Sequence, residues 1–124
     1  MTFLLIDDNK IDLFIHGELL KRVLGISDVV QYTFAGEALQ YLSQTVTTGW
    51  PDVILLDIHM PVMNGFVFLE KYAHLPDSLR SKCRVILVSS SLDTGDLKMA
   101  KSNPEVFAYL EKPLDVEQLK KIMY

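Results

Sequence analysis

Apolar and polar positions alternate in blocks along the chain. Five short runs rich in β-branched and aromatic residues stand out: Phe3–Ile6, Val29–Phe34, Val53–Leu56, Val85–Val88 and Val106–Leu110. Most are near-continuously hydrophobic rather than strictly alternating, which predicts strands covered on both faces. Between them lie stretches with helical spacing. Ile11, Phe14, Ile15, Leu19 and Val23 form one stripe, with Gly25 as a natural stop. Ala35, Ala38, Leu39, Leu42 and Val46 form a second, closed by Gly49-Trp50-Pro51, and Phe66, Leu69 and Ala73 a third, ending near Pro76. The fourth, Asp93 to Ser102, has the weakest stripe, Leu97 and Ala100; Val116, Leu119, Ile122 and Met123 make the last. His74 to Arg84 reads as the longest loop, too short for a second domain. Strand and helix thus alternate five times. That order predicts an α/β fold, a parallel sheet with helices on both faces joined by right-handed crossovers. With no repeat, low-complexity tract or linker, residues 1–124 are expected to form a single domain.

Composition agrees and narrows the function. The 124 residues are 49% hydrophobic and 23% charged, outside the range of disordered chains and long enough to bury roughly two thirds of the unfolded surface. A net charge of −4, with no Lys/Arg run longer than two, argues against nucleic-acid binding through phosphates. No apolar run approaches the ~18 residues of a membrane span. Met1-Thr2-Phe3 lacks the basic and apolar regions of a signal peptide, so a cytoplasmic location is expected. Cys83, the single cysteine, cannot close an internal disulfide and reads as an inert thiol.

The candidate chemistry lies at the strand ends. The first run ends in Asp7-Asp8, the third in Asp57, the fourth in Ser89 and the fifth in Glu111-Lys112. In a doubly wound sheet, ligands bind outside the carboxyl ends of the strands, so these polar groups would converge on one edge. Each also has a plainer reading. Asp8 or Asn9 could cap the helix beginning near Ile11, Ser89 could belong to loop and cap chemistry in a serine run, and Lys112 could be a solvated lysine. If Asp7, Asp8 and Asp57 do meet, each close pair repels by ~1–4 kcal/mol at about 4 Å. Such a cluster calls for a cation or held protons, and oxygen-only ligands suit Mg²⁺. Zinc is disfavoured, because Cys83, His16, His59 and His74 show no clustered ligand spacing and each histidine reads as a surface or loop residue.

These residues carry a resemblance. The segments Leu5-Ile6-Asp7-Asp8-Asn9, Leu55-Leu56-Asp57-Ile58-His59-Met60-Pro61 with Asn64-Gly65, Val88-Ser89, and Tyr109-Leu110-Glu111-Lys112-Pro113 occur in this order. Together they resemble the receiver domain of two-component response regulators over essentially the full chain. The resemblance implies a flavodoxin-like (βα)5 fold with strand order 2-1-3-4-5. It implies Asp57 as phosphoacceptor, and Mg²⁺ (or Mn²⁺) held by Asp7, Asp8, Asp57 and the His59 backbone carbonyl. Ser89 and Lys112 would bind the phosphoryl oxygens, and Tyr109 would be the switch aromatic. Pro113 would follow a cis peptide, and His59 and Ser91 would tune access of the hydrolytic water. The phosphodonor would be a phosphohistidine on a sensor histidine kinase or histidine phosphotransfer protein. The output would be an unknown protein docking on the region from the fourth helix to the fifth, with no direct nucleic-acid or membrane contact. The domain would catalyse only its own phosphorylation and dephosphorylation, either standing alone or within a larger regulator.

The chemistry suits these residue types. A carboxylate is a competent nucleophile toward phosphorus, and positioning and charge stabilisation supply most of the catalysis. One departure is Asn103-Pro104-Glu105 before the fifth strand, where many receivers have Gly-Ala. A haloacid-dehalogenase-like phosphatase would want an acid where His59 stands. A flavodoxin-type binder would want a phosphate-cradling loop where Asp7-Asp8-Asn9-Lys10 stands. An unphosphorylated interaction module on the same fold stays open.

Overall fold

The computed structural model describes residues 1–45, 49–90 and 93–124; Val46 and Ser91 lie outside them. Five strands, Thr2–Ile6 (β1), Asp28–Tyr32 (β2), Val53–Asp57 (β3), Arg84–Ser89 (β4) and Val106–Glu111 (β5), form one sheet. Its order is β2-β1-β3-β4-β5, parallel throughout, the flavodoxin-like doubly wound arrangement. Six helices accompany the strands among the described residues: Lys10–Leu24 (α1), Ala35–Gln44 (α2), Gly65–Tyr72 (α3), Asp77–Lys82 (α4), Thr94–Ser102 (α5) and Val116–Met123 (α6).

Successive side chains of a strand point to opposite faces, and β1 shows the result. Leu4 and Ile6 join one buried cluster with Ala38, Leu42, Phe68 and Leu69, whereas Phe3 and Leu5 join another with Leu13, Leu20, Leu119 and Met123. The sheet is therefore covered by α2 and α3 on one side and by α1 and α6 on the other. Central β3 is buried at every position, while edge strand β2 is not. That is why β1, β3 and β4 read as continuous hydrophobic runs.

Two features differ from the sequence reading. The segment 74–84 contains α4 rather than being all loop. Pro76 precedes its first turn, Leu79 is its one buried anchor, and Arg80 pairs with Glu105 at 2.6 Å. A single apolar anchor leaves no periodicity to read. The second difference concerns α1. Of its stripe of Ile11, Phe14, Ile15, Leu19 and Val23, all but the half-buried Leu19 are exposed; the buried residues are Leu13, His16 and Leu20. The helix carries two apolar arcs, and the sheet takes the other one. His16 is accordingly a buried residue, not the surface or loop histidine expected.

Candidate functional site

The order of strands reverses between β1 and β3, and the carboxyl ends of these two neighbours hold the acidic residues. Asp7 directly follows β1. Its backbone N–H donates to the Tyr32 carbonyl (3.1 Å), and its carboxylate accepts from the Asn9 N–H at 2.9 Å. Asn9 is the cap of α1: its side-chain oxygen accepts from Ile11 N–H (3.0 Å) and Asp12 N–H (3.2 Å). With the cap supplied by Asn9, the exposed Asp8 is left to the pocket.

Asp57, the last residue of β3, is buried. The loop after it returns at Gly65, whose N–H donates to the Ile58 carbonyl at 2.8 Å. A Cβ on Gly65 would lie 2.8 Å from the Asp57 carbonyl oxygen and 3.0 Å from Ile58 Cα, both backbone atoms. Only glycine lets α3 begin this close to the phosphoacceptor candidate. Asn64 caps that helix, accepting from Val67 N–H at 3.0 Å. Within the loop, Val62 has φ 67°, a left-handed backbone that a β-branched side chain rarely adopts.

Lys112 closes the site from β5. Its N–H donates to the Ser89 carbonyl at 2.8 Å, which fixes the end of β5 against the end of β4, and the Lys112–Pro113 peptide is cis. The ammonium donates to Asp7 at 2.7 Å and to Asp12, in the first turn of α1, at 2.8 Å; it stands 3.8 Å from Asp57. Ser89 is fully buried beside it, and Tyr109 is half-buried against the cluster on the α2 and α3 side.

Asp7, Asp8 and Asp57 bring carboxylate oxygens within 4.8 Å of one another. Burial, then Asp7 and to a smaller degree Asp8, push the Asp57 carboxyl up to about 6, against the opposing pull of Lys112 and the His59 backbone N–H. Burial works against the Lys112 charge, but its bonds to Asp12 and Asp7 and the nearby Asp57 carry its pKa above the ordinary lysine value. His16, one turn beyond Asp12, is held below the usual histidine range by burial and then by Lys112. Crowded carboxylate oxygens, one of them with a raised proton affinity, fit a small divalent cation that relieves their repulsion.

The fold thus brings together Asp7, Asp8, Asp57, Ser89 and Lys112 at one sheet edge. The His59 side chain turns toward α5, with Nε2 3.2 Å from Asp96 Oδ2. Ser91 lies outside the described residues. Sequence reasoning missed Asp12 and His16. An acid in the first turn of a helix ordinarily serves the helix dipole, and nothing local marks a partner 100 residues away. Cys83 is buried as an inert thiol, donating to the Pro51 carbonyl at 2.9 Å and pushed up to about 11 by burial.

A family model, the response regulator receiver domain, matches residues 3–124. The chain belongs to that family. Solved receivers superpose closely. A response regulator receiver protein from Dyadobacter fermentans is 35% identical with a TM-score of 0.90, over 99% of this chain and 94% of that one. A two-component response regulator from Cytophaga hutchinsonii is 28% identical with a TM-score of 0.90, over 98% and 92%. Among characterised relatives, stress response regulator protein 1 of Meyerozyma guilliermondii is 31% identical across 79% of this chain and 42% of its own length. A protein-glutamate methylesterase/protein-glutamine glutaminase of Desulfotalea psychrophila is 30% identical across 91% of this chain and 29% of its own. This receiver therefore spans less than half the length of either relative. Receivers of two-component signalling accept phosphoryl groups, bind Mg²⁺ in an acidic pocket, and interact with kinases and phosphotransfer proteins. No helix among the described residues is long and apolar enough to cross a membrane.

Proposed function

We propose that residues 1–124 act as a single receiver domain in which Asp57 accepts a phosphoryl group from a phosphohistidine of a sensor histidine kinase or histidine phosphotransfer protein. The observation that carries this reading is the placement of Asp57 at the end of β3, buried among carboxylates with an ammonium 3.8 Å away. The ionised carboxylate attacks phosphorus, and the phosphohistidine nitrogen leaves with the electron pair of the P–N bond. Asp7, Asp8, Asp57 and the His59 carbonyl would hold Mg²⁺ or Mn²⁺. Bound there, the cation offsets the crowded carboxylates and the charge on the phosphoryl oxygens.

Lys112 neutralises a phosphoryl oxygen as a compact charge, and the Ser89 hydroxyl donates to another. Movement of Ser89 toward the phosphoryl group lets Tyr109 repack, shifting the face formed by α5, β5 and α6 between two packings that a partner protein distinguishes. His59 and Ser91 tune the approach of the water that removes the group. The domain catalyses these two steps on itself alone. A cytoplasmic setting suits a phosphohistidine donor.

Intact mass after incubation with a small phosphodonor and Mg²⁺ tests the reading, with Asp57→Asn alongside. One added phosphoryl group on the parent, absent from the variant, is the expected result. An adduct on both names another acceptor, and no adduct on the parent overturns the phosphoacceptor role.

A further inference from the structure

We propose that Asp12 is a positioning residue: its carboxylate shares the Lys112 ammonium with Asp7, and so sets how far that ammonium engages Asp57. This rests on the reading of Asp57 as phosphoacceptor, but its own observation is geometric. An ammonium has three N–H donors. Lys112 spends two of them on Asp7 (2.7 Å) and Asp12 (2.8 Å), which leaves Asp57 at 3.8 Å, beyond hydrogen-bond distance. Asp12 is held for this task. The Asn9 cap fixes the first turn of α1 through the Asp12 N–H, and the Asp12 carboxylate lies outside the group of three that crowds the pocket.

The arrangement has a consequence for the cation. Lys112 and a divalent ion compete for the oxygens of Asp7 and Asp57. Anchored partly on Asp12, the ammonium leaves Asp57 free to serve the ion. Once Asp12 is neutral, the flexible lysine stem lets the ammonium swing between Asp7 and Asp57, where it occupies oxygens the ion needs. With the ammonium 3.8 Å from Asp57, the oxygens of a phosphoryl group carried there could take the third donor without the lysine leaving Asp12.

A double-mutant cycle read by calorimetric Mg²⁺ binding to the unphosphorylated chain tests this. The members are the parent, Asp12→Asn, Lys112→Met and the double variant. Removing the Asp12 charge weakens binding in either background by simple Coulomb loss. The expected excess is about threefold or more with Lys112 present, the lower part of the coupling range for contacting groups. Asp12→Glu, which keeps the charge within reach of the ammonium, is expected to stay within about twofold of the parent. Equal losses in both backgrounds would reduce Asp12 to a remote charge and overturn the inference, as would Asp12→Glu behaving like Asp12→Asn. Neither outcome depends on phosphorylation. Failure of the phosphoacceptor reading shows separately, as a missing adduct on the parent.

Discussion

Asp57→Asn should stabilise the metal-free protein at neutral pH, although it removes the proposed phosphoacceptor. The Asp57 carboxyl is raised from 3.8 to about 6, first by burial and then by Asp7. The native state therefore holds this proton more tightly than the unfolded chain does. Where both states are protonated, below about pH 4, the group costs nothing; the cost grows as pH rises through about 6 and is complete at neutrality. At ~1.4 kcal/mol per pH unit, the rise corresponds to about 3 kcal/mol. Asparagine still has a polar amide to satisfy, so about 2 kcal/mol of gain is expected, or ~8 °C in Tm for a domain of this length. Urea unfolding with a chelator present, at pH 7.5 and again near pH 4, measures it. A variant no more stable than the parent at pH 7.5, or a gain that persists undiminished near pH 4, would refute the electrostatic reasoning.

Mg²⁺ affinity of the parent is expected to fall as pH drops through about 6, because ion and proton compete for Asp57; calorimetry across that range reads the slope. Gly65→Ala puts a methyl against the backbone of Asp57 and Ile58 and is expected to cost about 1–3 kcal/mol, with slower phosphorylation by a small donor as the loop shifts. On α1, Leu20→Ala should cost about 2–5 kcal/mol, and Ile15→Ala, on the exposed arc, less than about 0.5 kcal/mol; similar losses would contradict the assigned inner face. Val62→Gly relieves the left-handed backbone at φ 67° and is expected to stabilise by about 1 kcal/mol in thermal unfolding.

Much of the site was legible because strand ends announce themselves. Asp7, Asp57 and Ser89 each follow or close a buried apolar run, Lys112 follows the half-buried run of β5, and a parallel sheet carries all such ends to one edge. Helix faces were less legible. On α1 the residues Ile11, Phe14, Ile15 and Val23 and the residues Leu13 and Leu20 both satisfy helical spacing, and periodicity does not say which arc meets the sheet. Gly17 bears on that choice: Gln31 Nε2 lies 2.8 Å from where its Cβ would stand, a contact between two elements that a pattern within one cannot contain.

The strand and helix order, the parallel sheet and the acidic edge were set by local hydrophobic patterning and by residue types at strand ends, since burial on both faces demands such runs wherever they fall. Tertiary structure alone decided the rest. Asp12 meets Lys112 across 100 residues and His59 meets Asp96 on α5, and His16 is buried because the sheet took one arc of α1 and left the other to solvent. Local patterning acts over a few residues of chain; ion pairs, side-chain shielding and the raised proton affinity of Asp57 depend on distances through space, which exist only once the sheet has closed.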